Sequence, residues 1–270
     1  MTWLERLQDR DTKEYLLGFL VILAIVGIIR NGAEKTIPQL FISLAATSFF
    51  DILFNTLEQK PLYFPKSALV SGLIIAMVLA VPQPWYVLVF AGAFAMVLKH
   101  FLRPGDRHIF NPGGSGVMAA HLVFGASFGW WGEAIPELVI VGGLLVIGVF
   151  FLRVWIPVTY AIGYFLFWGL AALTGYGNLE VPALAFETLT NLPLFLMFIM
   201  LPEPWTSPRM RNGQIAFAAL ASFLTILFFP IRVVAGVAPV LGLLIANLTV
   251  PFLNRVFVFL PAGRQALFVD

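Results

Sequence analysis

The chain has no cysteine in 270 residues, so disulfides, thiolate metal sites, iron–sulfur ligation and cysteine nucleophiles are all excluded. Charge is almost as scarce. Only 11% of residues are Asp, Glu, Lys or Arg, against roughly 25% in a soluble globular domain. A surface so poor in charge cannot face water on all sides. The 60% hydrophobic content and mean hydropathy of +0.93 say the same, and a polytopic membrane protein is the class that fits. A net charge of +2 rests on 16 Lys and Arg, too sparse for a nucleic-acid surface, so no nucleic-acid partner is expected.

What is abundant is apolar runs. A bilayer core needs about 20 apolar residues per helix, fewer where helices are broken. Such runs occur at Tyr15–Ile29, Pro38–Leu57, Ser67–Val81, Trp85–Leu98 and Pro112–Gly125. They recur at Leu138–Leu152, Pro157–Leu173, Ala185–Leu201, Ile215–Phe229 and Val237–Phe257. An all-α protein of ten transmembrane helices is the expectation, and the charged leader before Tyr15 reads as a cytoplasmic segment rather than a cleaved signal.

Positive charge tests the count. With the N-terminus inside, thirteen Lys and Arg fall on inner segments: Arg6, Arg10, Lys13, Lys60, Lys66, Lys99, Arg103, Arg107, Arg153, Arg209, Arg211, Arg255 and Arg264. Only three, Arg30, Lys35 and Arg232, fall outside. That bias predicts both termini in the cytoplasm.

The letters also repeat. Glu14 and Arg30 bracket the first span as Glu137 and Arg153 bracket the sixth, and Ile37-Pro38 matches Ile156-Pro157. Val81-Pro82-Gln83-Pro84-Trp85 matches Leu201-Pro202-Glu203-Pro204-Trp205, and Gly116 to His121-Leu122 matches Gly242 to Asn247-Leu248. The offsets are 123, 119, 120 and 126. Five helices is an odd number, so the second copy must enter from the opposite side. The reading is a 1–14 leader, inverted five-helix halves at 15–130 and 131–260, and a 261–270 cytoplasmic tail. Such folds place their site between the halves, where broken helices expose backbone, so the third, fifth, eighth and tenth spans are where function is sought.

Within them, Asn111-Pro112-Gly113-Gly114-Ser115-Gly116 opens a helix with small residues. Its N–H groups suit an anion or a flavin-type carbonyl, and its glycines equally suit close helix packing. Lys66 is either a ligand contact or a snorkelling topology charge, and Ser71, four residues on, either a contact or a backbone hydrogen-bonder. His121, Asn191 and Asn247 lie at membrane depth, where polar side chains are costly and functional by default; Glu187 lies near a helix end. Asp51 reads as an isolated carboxylate. No spacing suits a metal, no nucleophile–base arrangement is present, and catalysis by the chain alone is not expected. Trp130-Trp131, in an outer loop, reads as part of an aromatic belt.

His108-Ile109-Phe110-Asn111-Pro112 resembles the H-I-F-N-P signature of the RnfD-type proteins of the Rnf electron-transport complex. Their NqrB-type counterparts in the sodium-translocating NADH:quinone reductase share that signature. Ser67-Ala68-Leu69-Val70-Ser71-Gly72-Leu73, Gly129-Trp130-Trp131-Gly132-Glu133, Pro202-Glu203-Pro204-Trp205-Thr206-Ser207-Pro208 and the closing Leu243–Pro251 segment are similar to further family motifs, in the same order. The resemblance implies ten helices in inverted halves and a flavin-holding, ion-coupled electron-transport protein that works within a larger complex. Its partners are the other proteins of that complex and the lipid bilayer, in a prokaryotic inner membrane. Family members with covalent FMN attach it to Thr in S-G-A-T. Here the stretch reads Phe124-Gly125-Ala126-Ser127, shorter and without the leading Ser, so covalent attachment at Ser127 is not expected. The implied cofactor is a non-covalent flavin, FMN or riboflavin. Its expected contacts are Lys66, Ser71, Asn111, Gly113, Gly114, Gly116, Asn191, Glu203, Thr206 and Asn247. The competing reading on the same architecture is a small-solute transporter or channel.

Overall fold

The computed structural model describes residues 12–61, 64–103, 107–147, 153–176 and 192–259. The first half runs α1 (Thr12–Asn31), α2 (Ala33–Leu57), α3 (Lys66–Val78), α4 (Trp85–Phe101) and α5 (Pro112–Phe124). The second runs α6 (Pro136–Leu145), α7 (Trp155–Leu173), a π-helical turn (Leu196–Met200), α8 (Arg211–Phe228) and α9 (Ala238–Phe259). Short 3-10 turns occupy Trp131–Glu133 and Ala235–Val237. Among the described residues, five helices are long and apolar enough to cross a bilayer: α1, α2, α7, α8 and α9. α3, α4 and α6 are shorter apolar helices. The first part of the eighth expected span, with Asn191 and Glu187, lies outside the described residues, as does the end of the sixth.

Beside an apolar core, the chain buries polar side chains that a soluble protein would turn outward. α2 shows this best, because Gln39, Ser43, Thr47, Asp51 and Asn55 recur every four residues and all are buried. Phe41, Phe49, Ile52 and Leu53 face outward. Lipid is as apolar as leucine, so the polar stripe gains nothing there and is placed where partners wait. Pro38 does not open this helix as expected. α2 starts five residues earlier, and Pro38 lies in its second turn, where the missing N–H costs a single bond near the helix end.

α3 and α5 have 13 residues each and are enclosed by their neighbours: α3 packs on α1, α2, α4 and α5, and α5 on α4 and α9. A helix this short cannot span, and its end carbonyls must find partners inside the protein. α3 stops at Val78 because Leu79 turns extended. The Ala76 carbonyl then accepts from Gln39 Nε2 at 2.8 Å and Trp131 Nε1 at 2.6 Å. The Val78 carbonyl takes the Gly129 and Trp130 amides, and Ala80 N donates to the Ser127 carbonyl. Gln39 also accepts from Gln83 N through Oε1. Trp131 is therefore interior, 6% exposed, and not part of an aromatic belt. The broken helix supplies the acceptor its indole N–H requires, and Gly27 of α1 leaves room for the ring.

α5 carries the start and stop signals its sequence suggested. Asn111 Oδ1 accepts from Gly114 N at 2.8 Å, Pro112 takes the first position, and Gly125 closes the helix at φ +67°. Glycine is required on one face of α5. A Cβ on Gly116 would lie 2.5 Å from the Ala91 carbonyl oxygen of α4, and one on Gly113 would lie 2.6 Å from Ile74 of α3.

One further tie holds the Trp131–Glu133 turn to the segment that leads into the π-helical turn. Glu133 Oε1 accepts the Phe195 amide at 2.6 Å, and Gly132 packs against the Phe195 ring. Burial pushes the Glu133 carboxyl up to about 7, the Phe195 hydrogen bond only partly opposing it. The folded state thus holds a proton the unfolded chain releases near its ordinary value of 4.5. Stability from this group is complete below that value and is lost as pH rises to about 7. Glu133→Gln keeps an acceptor for Phe195 and has nothing to ionise. The variant is expected to be more stable than wild type at pH 8 by on the order of 2 kcal/mol, seen as a higher thermal midpoint in detergent, and to match it at pH 4. Equal differences at both pH values would contradict the assignment.

Candidate functional site

Four of the residues singled out in the sequence meet in one buried knot. Asn111 is 1% exposed, Thr206 1% and Asn247 0%. The Asn111 amide donates to Asn247 Oδ1 at 3.1 Å, and Asn247 Nδ2 donates to the Thr206 carbonyl at 2.9 Å. Asn111 Nδ2 donates to Glu203 Oε2 at 2.7 Å and to the Met200 carbonyl at 3.2 Å, and Thr206 Oγ1 reaches the same Glu203 oxygen at 3.2 Å. The start of α5, the loop after the π-helical turn and the middle of α9 are thereby tied together. Every amide atom of Asn111 has protein partners, so its first role is to hold this junction.

The other candidates distribute around it. Gly113, Gly114 and Gly116 lie on the buried first turns of α5; Gly114 donates to Asn111, and the other two serve close packing. Ser71 is buried in α3 and donates to the Ser67 carbonyl at 3.0 Å, the backbone bond foreseen for it. Lys66, at the start of α3, pairs with Glu14 of α1 at 2.5 Å. His121 Nδ1 meets the Ala126 carbonyl at 3.0 Å and its ring meets Phe128 edge-on, a half-buried packing position at the end of α5. Ser127 is exposed, its carbonyl committed to Ala80.

Beside the knot lies a cavity of about 640 Å³ where α1, α2, α3 and α4 end together with the loops bearing His108 and Trp205. That volume lies within the ~300–1,000 Å³ range of small-molecule sites. The His108 ring stacks on Trp205, centroids 6.4 Å apart, and Lys13 and Arg107 approach the same indole at 5.2 and 6.0 Å. His108 Nε2 is buried without a hydrogen-bond partner, 3.7 Å from Glu203 Oε1 and beyond bonding reach. Arg107 Nη1 is also buried without one, although its Nη2 donates to the Pro204 carbonyl. Burial, with Arg209 nearby, lowers the Arg107 guanidinium from its ordinary value. Arg153 holds the loop from behind, donating to Ser207 Oγ at 2.9 Å and to the Pro208 carbonyl. Its burial, then the charges of Arg107 and Arg209, lower it to about 10.

The sequence reading missed a second cluster on the other side of the cavity. Asp51 is not isolated. Its carboxylate accepts from Lys99 Nζ at 2.7 Å and faces His100 Nε2 at 2.8 Å. His100 Nδ1 faces Glu58 Oε1 at 2.8 Å, and Glu58 also takes Arg103 at 2.6 Å and pairs with Lys60. His100 thus bridges the two carboxylates through its two ring nitrogens. Burial alone would raise Glu58; hydrogen bonds from Lys60 and His100 and the charge of Arg103 outweigh it and hold it at about 2. The signal lay in the four-residue polar period of α2, but its partners sit more than forty residues away in α4.

No curated protein matches the chain. The family described as NQR2, RnfD, RnfE matches it over residues 9–134 and again over 111–261. The chain spans a membrane with multiple passes and belongs to this family of membrane subunits of Rnf- and NQR-type complexes.

Proposed function

We propose that the chain is the membrane subunit of a flavin-dependent, ion-coupled electron-transport complex of the Rnf/NADH:quinone reductase type. It holds a non-covalent flavin, FMN or riboflavin, between the knot and the cavity. The carrying observation is the buried His108 Nε2, without a hydrogen bond, on a cavity of ligand size beside the Trp205 indole, with the buried Nη1 of Arg107 on the neighbouring residue. A flavin presents a planar ring and carbonyl acceptors, and that donor set fits both.

When bound, the flavin supplies the one- and two-electron chemistry. The chain's own residues bind and orient it. Trp205 offers a stacking face, Arg107 and His108 offer hydrogen bonds, and the Asn111–Glu203–Thr206–Asn247 knot fixes the loops that carry them. No nicotinamide-binding segment is evident, so other subunits deliver the electrons.

The inverted-repeat architecture of ten helices is part of the same reading. It is supported by recurring pairings: α2 packs on α4 as α7 packs on α8, and α4 on α5 as α8 on α9. Gly116 against the Ala91 carbonyl is matched by Gly242 against the Ala221 carbonyl. Basic loops of both halves meet at one end, as Arg107 joins Pro204 and Arg153 joins Ser207. That end is the cytoplasmic side of a prokaryotic inner membrane if the charge rule holds.

His108→Gln is expected to lower flavin per protein several-fold in detergent while the elution profile stays monodisperse. Unchanged flavin content would remove His108 from the site.

A further inference from the structure

The cavity wall beyond Trp205 has a chemistry the flavin reading does not use. It is lined by Lys13, Lys60, Lys66, Lys99 and Arg103, together with His100 and His108, and no carboxylate lines it among the described residues. The carboxylates stand behind the cations. Glu58 serves Lys60, Arg103 and His100, and Asp51 serves Lys99 and His100. Lys60, Lys99 and Arg103 thus share two carboxylates, and Lys13 and Lys66 stand on the same wall, a local surplus of positive charge facing a space that can admit a small ligand. An ammonium has three donors and a guanidinium five, more than these two carboxylates take up. The 13-residue α3 also begins at this wall, where Lys66 and Ser67 line the cavity, and its N-terminal dipole adds to the field.

We propose that this cavity binds a phosphate group, held by Lys60, Lys99 and Arg103. Carboxylates that fix the cations before the ligand arrives reduce the ordering cost of binding, and a doubly charged phosphate offsets the surplus. The phosphate comes either from a soluble ligand or from an anionic lipid headgroup. The assignment rests on the cations of the wall and stands whether or not a flavin is bound beside Trp205.

The test uses the full chain. Equilibrium dialysis of delipidated, detergent-solubilised protein against labelled inorganic phosphate measures the soluble arm. Co-purifying lipid, counted after reconstitution in nanodiscs of phosphatidylcholine with and without phosphatidylglycerol, measures the lipid arm. Lys60→Gln and Arg103→Gln are each expected to weaken binding about tenfold in whichever arm binds, and to weaken it less at 0.5 M salt. Lys60 and Arg103 are both partly exposed and share Glu58, so either variant leaves that carboxylate a partner. Lys35→Gln, an exposed lysine at the start of α2, away from the cavity, removes the same charge and is expected to change nothing. Saturable phosphate binding assigns a soluble ligand, and retention of phosphatidylglycerol alone assigns a lipid. Binding in neither arm, or binding indifferent to Lys60 and Arg103, overturns the proposal. Flavin is counted in the same samples, so that phosphate carried in by FMN is distinguished from a separate ligand.

Discussion

Asp51→Ala is expected to lower the thermal midpoint of the detergent-solubilised protein by about 10 °C, corresponding to about 3–5 kcal/mol. Asp51 is fully buried in α2, and its carboxylate is what allows Lys99 and His100 to be buried in α4. Breaking a buried pair from one side is worse than removing it, because the Lys99 ammonium loses the carboxylate that compensates its burial. The Asp51–Lys99 and Asp51–His100 contacts tie α2 to α4, a helix pairing of the first half. The double variant Asp51→Ala with Lys99→Met removes one orphaned charge and should recover part of the loss. A midpoint unchanged in the single variant would show that the cluster is solvated and does not hold α2 to α4.

The second large effect is steric. Gly116→Ala would place a methyl 2.5 Å from the Ala91 carbonyl oxygen and 3.1 Å from the Ala95 Cβ. Neither can swing aside as a flexible side chain would, so α4 and α5 must separate. Gly242→Ala meets the Ala221 oxygen at 2.9 Å on the other side of the molecule. Overpacking of this kind costs about 1–3 kcal/mol, and more where backbone must move, so Gly116→Ala is expected to be the worse of the two. Gly169→Ala in α7, with nothing within 4 Å of the added carbon, is the control and should be neutral or mildly stabilising. Parity between Gly116→Ala and Gly169→Ala in midpoint and yield would contradict the close packing of α5 on α4.

How much of this was readable beforehand follows from which force dictates which feature. The bilayer dictates run length, so α1, α2, α7, α8 and α9 were visible as apolar stretches, and helix-end chemistry made Asn111, Pro112 and Gly125 visible as the limits of α5. Motif order brought Asn111, Glu203, Thr206 and Asn247 together as candidates, and the fold brings the same four into one network. Partners set by packing left no such trace. Nothing in the letters joins Asp51 or Glu58 to His100, because a helix face is legible but the helix opposite it is not. Trp131 was misread for the same reason, since the acceptor that draws it inward is a carbonyl freed by the early end of α3. Pro38 was misread as a start signal because proline is also tolerated in a helix's second turn.

The most direct measurement is the visible absorbance of the detergent-purified protein before and after acid precipitation. A flavin spectrum is expected in the folded protein, with the absorbance released into the supernatant on precipitation. Flavin held in the pellet would show a covalent bond and direct attention to Ser127. Well-folded protein without flavin absorbance would contradict the flavin assignment and put transport of a small solute through the same fold in its place.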